Sequence, residues 1–390
     1  IHMALAIPWV FLFVSKNKEQ PYLELILTVI GVFCCFYIAL NELSLSDQYG
    51  FIQGWYQFII GSTLIAITLE MARRTVGWPL PAITLLFLIY GLIGDKVPGE
   101  FGHAGIPLNS FLGTLVITEG GLWGKLTGVS VSIVAVFVIF GAVLNAGEAG
   151  QGFMNFAIAA AGRLTGGAAK VSVISSALFG SISGSASANV ASTGMVTIPA
   201  MRKLGYPKRV AGAVEAVAST GGQIMPPLMG AGAFVMVELT GIPYNQIIIA
   251  AVIPAILYFV TIWIGVNRYA ELYDLKPYKD GMVPSLKVVS KTFLFFLIPF
   301  IILLIGMYIG YTPQFSAAIA ILSAILLLFV DINLTFNWEK TKSRFINAAV
   351  FSGNQVATIA SIILCASLIV GVLGITGLGI KVTSTILTLS

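Results

Sequence analysis

Ten apolar segments recur along this chain, at roughly 4–14, 21–41, 55–70, 78–94, 128–147, 207–240, 244–266, 292–310, 314–330 and 345–373. A bilayer core is ~30 Å thick and takes ~20 helical residues to cross, so runs near this length fold as spanning helices; the first segment, 4–14, is short. Only 9% of the 390 residues are charged and 57% are hydrophobic, which excludes a soluble domain of this size. The fold class is all-α, a polytopic membrane protein.

Residues 171–227 interrupt that pattern. Two apolar runs, Val171–Ile182 and Val190–Met201, are each too short to span. They flank a small polar centre, Ser181, Ser183, Gly184, Ser185, Ala186, Ser187, Ala188 and Asn189. The segment 171–201 therefore reads as a re-entrant hairpin. Ser219-Thr220-Gly221-Gly222-Gln223 and Pro226-Pro227 make a second interruption inside 207–240. Proline lacks an amide hydrogen and clashes with the preceding turn, so a helix breaks there. Broken backbone inside a bilayer is tolerated only where protein or a water-filled cavity covers it. Freed carbonyls, hydroxyls and an amide side chain are hard oxygen ligands for an alkali cation, and half-helix N-termini suit a carboxylate. The alternative is that the Gly, Ala and Ser residues only let helices approach closely.

Charge follows topology. If the hairpin enters from the cytoplasm and segments alternate, 18 of the 21 Lys and Arg are cytoplasmic, leaving Lys96, Lys125 and Lys381 outside. The pI near 9.0 is then a topology signal and does not point to nucleic acid. Cys34, Cys35 and Cys365 lie in apolar runs without ligand spacing, and His2 and His103 are too few for a zinc site. Gly150–Arg163 reads as an amphipathic arm along the interface. Gly141–Gly150 resembles Val370–Gly379 at an offset of 229 residues, with the two copies exiting toward opposite sides. Such inverted repeats belong to alternating-access transporters. With this offset a second hairpin is expected just past residue 390, so the chain reads as truncated inside its second repeat.

GSISGSASANVASTGMVTIPAMRKLGY, followed by AVEAVASTGGQIMPP, closely resembles the fused membrane permease subunit of TRAP (tripartite ATP-independent periplasmic) transporters, in the TAXI branch. The likeness covers about 105–390 well and the start more loosely. It implies a Q-type small-subunit-like region at 1–94, a linker at 95–125 and an M-type transport region at 126–390. The second repeat would begin within 292–390. It implies an elevator-type fold in the bacterial inner membrane and a periplasmic TAXI-type substrate-binding protein as partner. The substrate class implied is an organic acid, a C4/C5 dicarboxylate or glutamate-like anion, imported by sodium-coupled symport. Carried over by motif, Ser183, Gly184, Ser185, Ser187, Asn189, Ser219, Thr220, Gly221 and Gly222 would bind Na+. Ser185, Asn189, Thr220, Gln223 and Pro226 would contact substrate. The tip departs from the commoner pattern in alternating Ala186 and Ala188 with serines.

Proton coupling is the rival, and it needs a titratable group at depth. Glu215 is the candidate, about 12 Å below a break centred near Gln223. Its other readings are a cytoplasmic cavity or an ion pair with Lys208 or Arg209. Glu238 and Glu148 read as interfacial. No HExxH, GxSxG or Walker motif supports an enzyme or ATP hydrolysis, and no cofactor beyond the coupling ion is expected. A channel, with the hairpin as a filter, is the alternative from a different class.

Overall fold

The computed structural model describes residues 1–14, 21–278, 283–333 and 335–389. Lys16, Lys18 and Lys279, counted above as cytoplasmic, and the side chain of Glu238 lie outside the described residues. Among the described residues, seven helices are long and apolar enough to cross a membrane: Pro21–Leu40, Trp55–Val76, Pro79–Lys96, Lys125–Ala146, Tyr244–Leu272, Leu286–Ile309 and Trp338–Thr376. The one non-helical pairing among them is an isolated bridge between Val330 and Phe336. The chain is an all-helical multi-pass membrane protein.

The expected hairpin has arms Gly167–Ser183 and Ala186–Lys203. The expected broken helix runs Lys208–Thr220, then a single 3-10 turn at Gly221–Gln223, and resumes at Ala231–Thr240. The repeat offset carries the helix Ala149–Ala161 onto the helix Leu378–Leu389, and each follows a spanning helix after a short turn.

Two compact units divide the chain, Ile1–Ser132 with Gly353–Ser390, and Ile133–Ser352. In the first, Leu64, Met71, Phe111, Leu115, Leu368 and Val372 are buried in one core. Arg74 ties its first helices together. Its side chain is 8% exposed and bonds Glu70 at 2.7 Å and Glu24 on Pro21–Leu40. The guanidinium also lies 4.7 Å over the Phe11 ring. A planar donor fork facing two carboxylates and a ring face suits arginine and not lysine. Trp9 donates to Asn354 at 2.8 Å. Its ring lies flush on Gly353, where a Cβ would meet it at 2.2 Å.

In the second unit the helix expected at 150–163 is packed by protein on two sides. Phe153 sits between Phe179 and Phe296, with ring centroids 5.3 and 4.6 Å away. Phe156 stacks on Phe293 at 4.8 Å. Gly152 lets the backbones meet: a Cβ there would lie 2.5 Å from the Thr292 carbonyl oxygen. Just before this helix Glu148 pairs with Arg344, which also donates to the carbonyls of Leu328 (3.1 Å) and Val330 (2.8 Å) at the end of Pro313–Leu328. Arg344 thus satisfies helix-end carbonyls and a carboxylate at once.

Both side chains are mostly shielded, Arg344 at 12% and Glu148 at 19% exposure. Arg344→Ala strands the carboxylate and frees two carbonyls, so it should cost on the order of 1–3 kcal/mol. Thermal melting of the purified protein in detergent checks this. Glu148→Gln, which keeps a hydrogen-bond acceptor for Arg344, should cost less.

Candidate functional site

The site is where the hairpin meets the helix break. Gly184 turns the hairpin in the left-handed region, φ +59, and a Cβ on it would lie 1.9 Å from the Met229 carbonyl oxygen. Only glycine fits that conformation and that approach together. One turn earlier, Gly180 lies against Gly222: a Cβ on Gly180 would fall 2.2 Å from the Gly222 Cα. The Leu228 amide donates to Ser181 O at 3.2 Å, and the Gly230 amide to Gln223 O at 2.8 Å. The break is therefore stitched to the hairpin backbone to backbone.

Side chains from two elements, the second hairpin arm and the helix Tyr244–Leu272, cap carbonyls at the break. Asn189 Nδ2 donates to Ser219 O at 3.4 Å and to Ser176 O at 2.8 Å. Tyr258 donates to Val217 O at 2.8 Å, and Tyr244 to Pro227 O. Pro226-Pro227 is a cis peptide bond. Asn189 is fully buried, and its amide nitrogen is committed to two carbonyls. Its Oδ1 is buried and accepts no hydrogen bond among the described residues.

Of the residues expected from sequence, Asn189, Ser219, Gly221 and Gly222 are buried together here. Ser183 and Gly184 form the hairpin turn, half-buried. Ser185 caps the second arm, accepting from the Ala188 amide at 3.4 Å, and its hydroxyl lies 3.2 Å from that of Ser187. Thr220 is exposed, and its hydroxyl bonds back to Ala216 O at 2.8 Å. Gln223 is exposed and Pro226 half-buried. The helix N-terminus capped by Ser185 and the exposed polar groups of Ser187, Thr220 and Gln223 suit an anionic ligand.

Glu215 makes no ion pair with Lys208 or Arg209. Those residues lie six and seven positions before it, almost two turns away along the helix. Four hydroxyls surround it instead: Ser172 at 2.7 Å, Ser219 at 3.1 Å, Thr193 and Thr197. Ser172, Ser176, Thr193 and Thr197 escape motif reading, but their spacing carries a signal. Ser172/Ser176, Asn189/Thr193/Thr197 and Glu215/Ser219 all repeat at four residues, one polar stripe on each of three helices.

Gly180→Ala and Gly222→Ala meet backbone rather than a flexible side chain, so each forces the hairpin from the break. Each should cost about 1–3 kcal/mol or more by overpacking. Gly212→Ala, with open space around it, should be silent. Melting temperatures of the three variants check this; equal values would contradict the close approach.

Known proteins resemble this chain. The family described as tripartite ATP-independent periplasmic transporter, DctM component, matches residues 63–390. The C4-dicarboxylate TRAP transporter large permease protein DctM of Pseudomonas aeruginosa is 29% identical over 196 residues, 50% of this chain and 45% of that protein. Its counterpart in Vibrio cholerae is 28% identical over 253 residues, 61% of this chain and 54% of that protein. The sialic acid TRAP transporter large permease protein SiaM of Vibrio cholerae is 28% identical over 207 residues, 52% of this chain and 48% of that protein. The chain spans about half the length of the curated relatives it matches. The family is one of transporter permease subunits, not enzymes. The chain belongs to the DctM family of tripartite ATP-independent periplasmic transporters.

Proposed function

We propose that this protein imports an organic acid across the bacterial inner membrane by sodium-coupled symport, fed by a periplasmic substrate-binding protein of TAXI type. The observation that carries the reading is the orphaned Asn189 Oδ1. A fully buried amide oxygen without a partner loses its hydration for nothing in return, a cost of about 1–3 kcal/mol. It fits an alkali cation, which brings positive charge and no hydrogen-bond demand of its own. Asn189, the carbonyls and hydroxyls of Ser219, Thr220, Gly221 and Gly222, and the tip residues Ser183, Gly184, Ser185 and Ser187 would hold Na+. The bound cation would offset the charge of an incoming carboxylate beside the second hairpin arm.

Ser185, Asn189, Thr220, Gln223 and Pro226 would make one wall of the substrate site. The relatives include C4-dicarboxylate and sialic acid permeases, both for carboxylates. For this chain a C4/C5 dicarboxylate or glutamate-like anion is the proposed class. An elevator movement of the hairpin-bearing part, with 1–94 as a small-subunit-like region joined by 95–125 to a transport region at 126–390, completes the reading. Proton coupling, the alternative, draws on one observation, the carboxylate of Glu215 buried beside the same hairpin.

Uptake of labelled dicarboxylates into proteoliposomes, with and without the binding protein, tests this. A sodium gradient should drive uptake only when the binding protein is present. Asn189→Ala should raise the sodium concentration for half-maximal uptake about tenfold or more. Uptake driven by a pH gradient alone would favour protons, and ion flux without the partner would contradict the symporter.

A further inference from the structure

Glu215 is the most deeply buried charged group of the hairpin region, with no exposed surface. Thr193 and Ser219 face its Oε1, and Ser172 and Thr197 face its Oε2. An ionised carboxylate has about four lone-pair sites, and each hydroxyl has one hydrogen to give. Four hydroxyls can complete the shell of an ionised carboxylate when Thr193 and Thr197 turn their hydrogens to it and away from Asn189 O and Thr193 O. The cations on the elements packed around it are Lys170, Arg202, Lys203, Lys208, Arg209 and Arg268, and none bonds to it. Lys170 donates to Asn267 and Arg268 pairs with Glu271, while the other four are exposed. A buried charge with hydrogen bonds but no counter-ion is costly to maintain.

The cage is joined directly to Asn189. Ser219 places its hydroxyl on Glu215 and its carbonyl on Asn189 Nδ2. Thr193, one helical turn after Asn189, touches Glu215 with the hydroxyl that also reaches Asn189 O at 2.8 Å. Ser176 lies 3.4 Å from both Thr193 and Ser219, and its carbonyl is the second acceptor for Asn189 Nδ2. Every group that turns the amide nitrogen inward, and so leaves Oδ1 free, is held by the carboxylate or by a hydroxyl beside it.

We propose that Glu215 is a positioning residue for the cation site: it touches no cation, but its fixed negative charge and its four hydroxyl bonds aim Asn189 Oδ1 and stabilise the ion there. This rests on the sodium reading given above. A plain clamp between three helices is the competing role, and charge separates the two.

Glu215→Gln keeps the volume and removes the charge. Its amide nitrogen, in the place of Oε1, faces Thr193 and Ser219, which can accept by turning their own hydrogens to Asn189 O at 2.8 Å and to the Ser176 hydroxyl at 3.4 Å. Glu215→Asp keeps the charge and shortens the reach, and Thr197→Ala removes one hydroxyl. The probe is sodium chloride, titrated against choline chloride at constant ionic strength. Calorimetric binding and melting temperature are read on the purified protein.

Glu215→Gln should weaken sodium binding on the order of tenfold or more while melting near wild type without sodium. Glu215→Asp and Thr197→Ala should melt lower yet keep sodium affinity within about threefold. Sodium affinity unchanged in Glu215→Gln, or lost in a folded Glu215→Asp, overturns the proposal and leaves the sodium site standing. Where the Gln variant does not fold, loss of sodium affinity in a folded Glu215→Asp still overturns the proposal. No saturable sodium effect in the wild-type protein would remove the sodium reading itself, and this inference with it.

Discussion

A helix interrupted inside a bilayer leaves amide and carbonyl groups without water to bond, at a cost of several kcal/mol for each. The region around 167–230 is arranged to meet that demand. The hairpin is pressed against the break at Gly180 and Gly222, where neither residue has room for a side chain. That proximity lets Ser181 accept from Leu228, and lets Asn189, Tyr258 and Tyr244 cap the freed carbonyls. Glycine, serine and asparagine are needed here for contact distance and for hydrogen-bond inventory, which is why packing and function do not separate at this site.

The satisfaction is incomplete at one atom. Asn189 gives its nitrogen to two carbonyls, and its buried oxygen accepts no hydrogen bond among the described residues. A purely structural hairpin gains nothing from an acceptor in that state. In the sodium reading proposed above, that atom would be where one positive charge is favoured, on the same elements that expose Ser187, Thr220 and Gln223.

Much of this was legible in the sequence because bilayer physics restricts the choices. Run length marked seven of the ten segments as candidate spans, but it did not separate Pro313–Leu328 from the hairpin arm Gly167–Ser183, both being short apolar helices. The Gly-Gly and Pro-Pro pairs marked the break to within a few residues. What sequence could not supply was direction. Glu215 read equally well as a partner for Lys208 or Arg209, because distance along a chain does not say which face of a helix is covered. Three of its four hydroxyl partners come from two other helices and the fourth, Ser219, from its own, and only their four-residue spacing hinted at a shared stripe. Thr220 lay inside the motif, yet its hydroxyl bonds back to Ala216 O on its own helix, as threonine hydroxyls do within helices. The helix after Glu148 read as interfacial, because its small residues gave no sign of the phenylalanines on neighbouring helices that enclose Phe153.

The decisive observation would be a pair of high-resolution experimental structures of this protein, one in sodium and one in choline. Density for an ion coordinated by Asn189 Oδ1 in sodium, absent in choline, with Glu215 still ringed by its four hydroxyls, is the expected result. An ordered water donating to Asn189 Oδ1 in both salts would contradict it, because the orphaned oxygen would then need no cation.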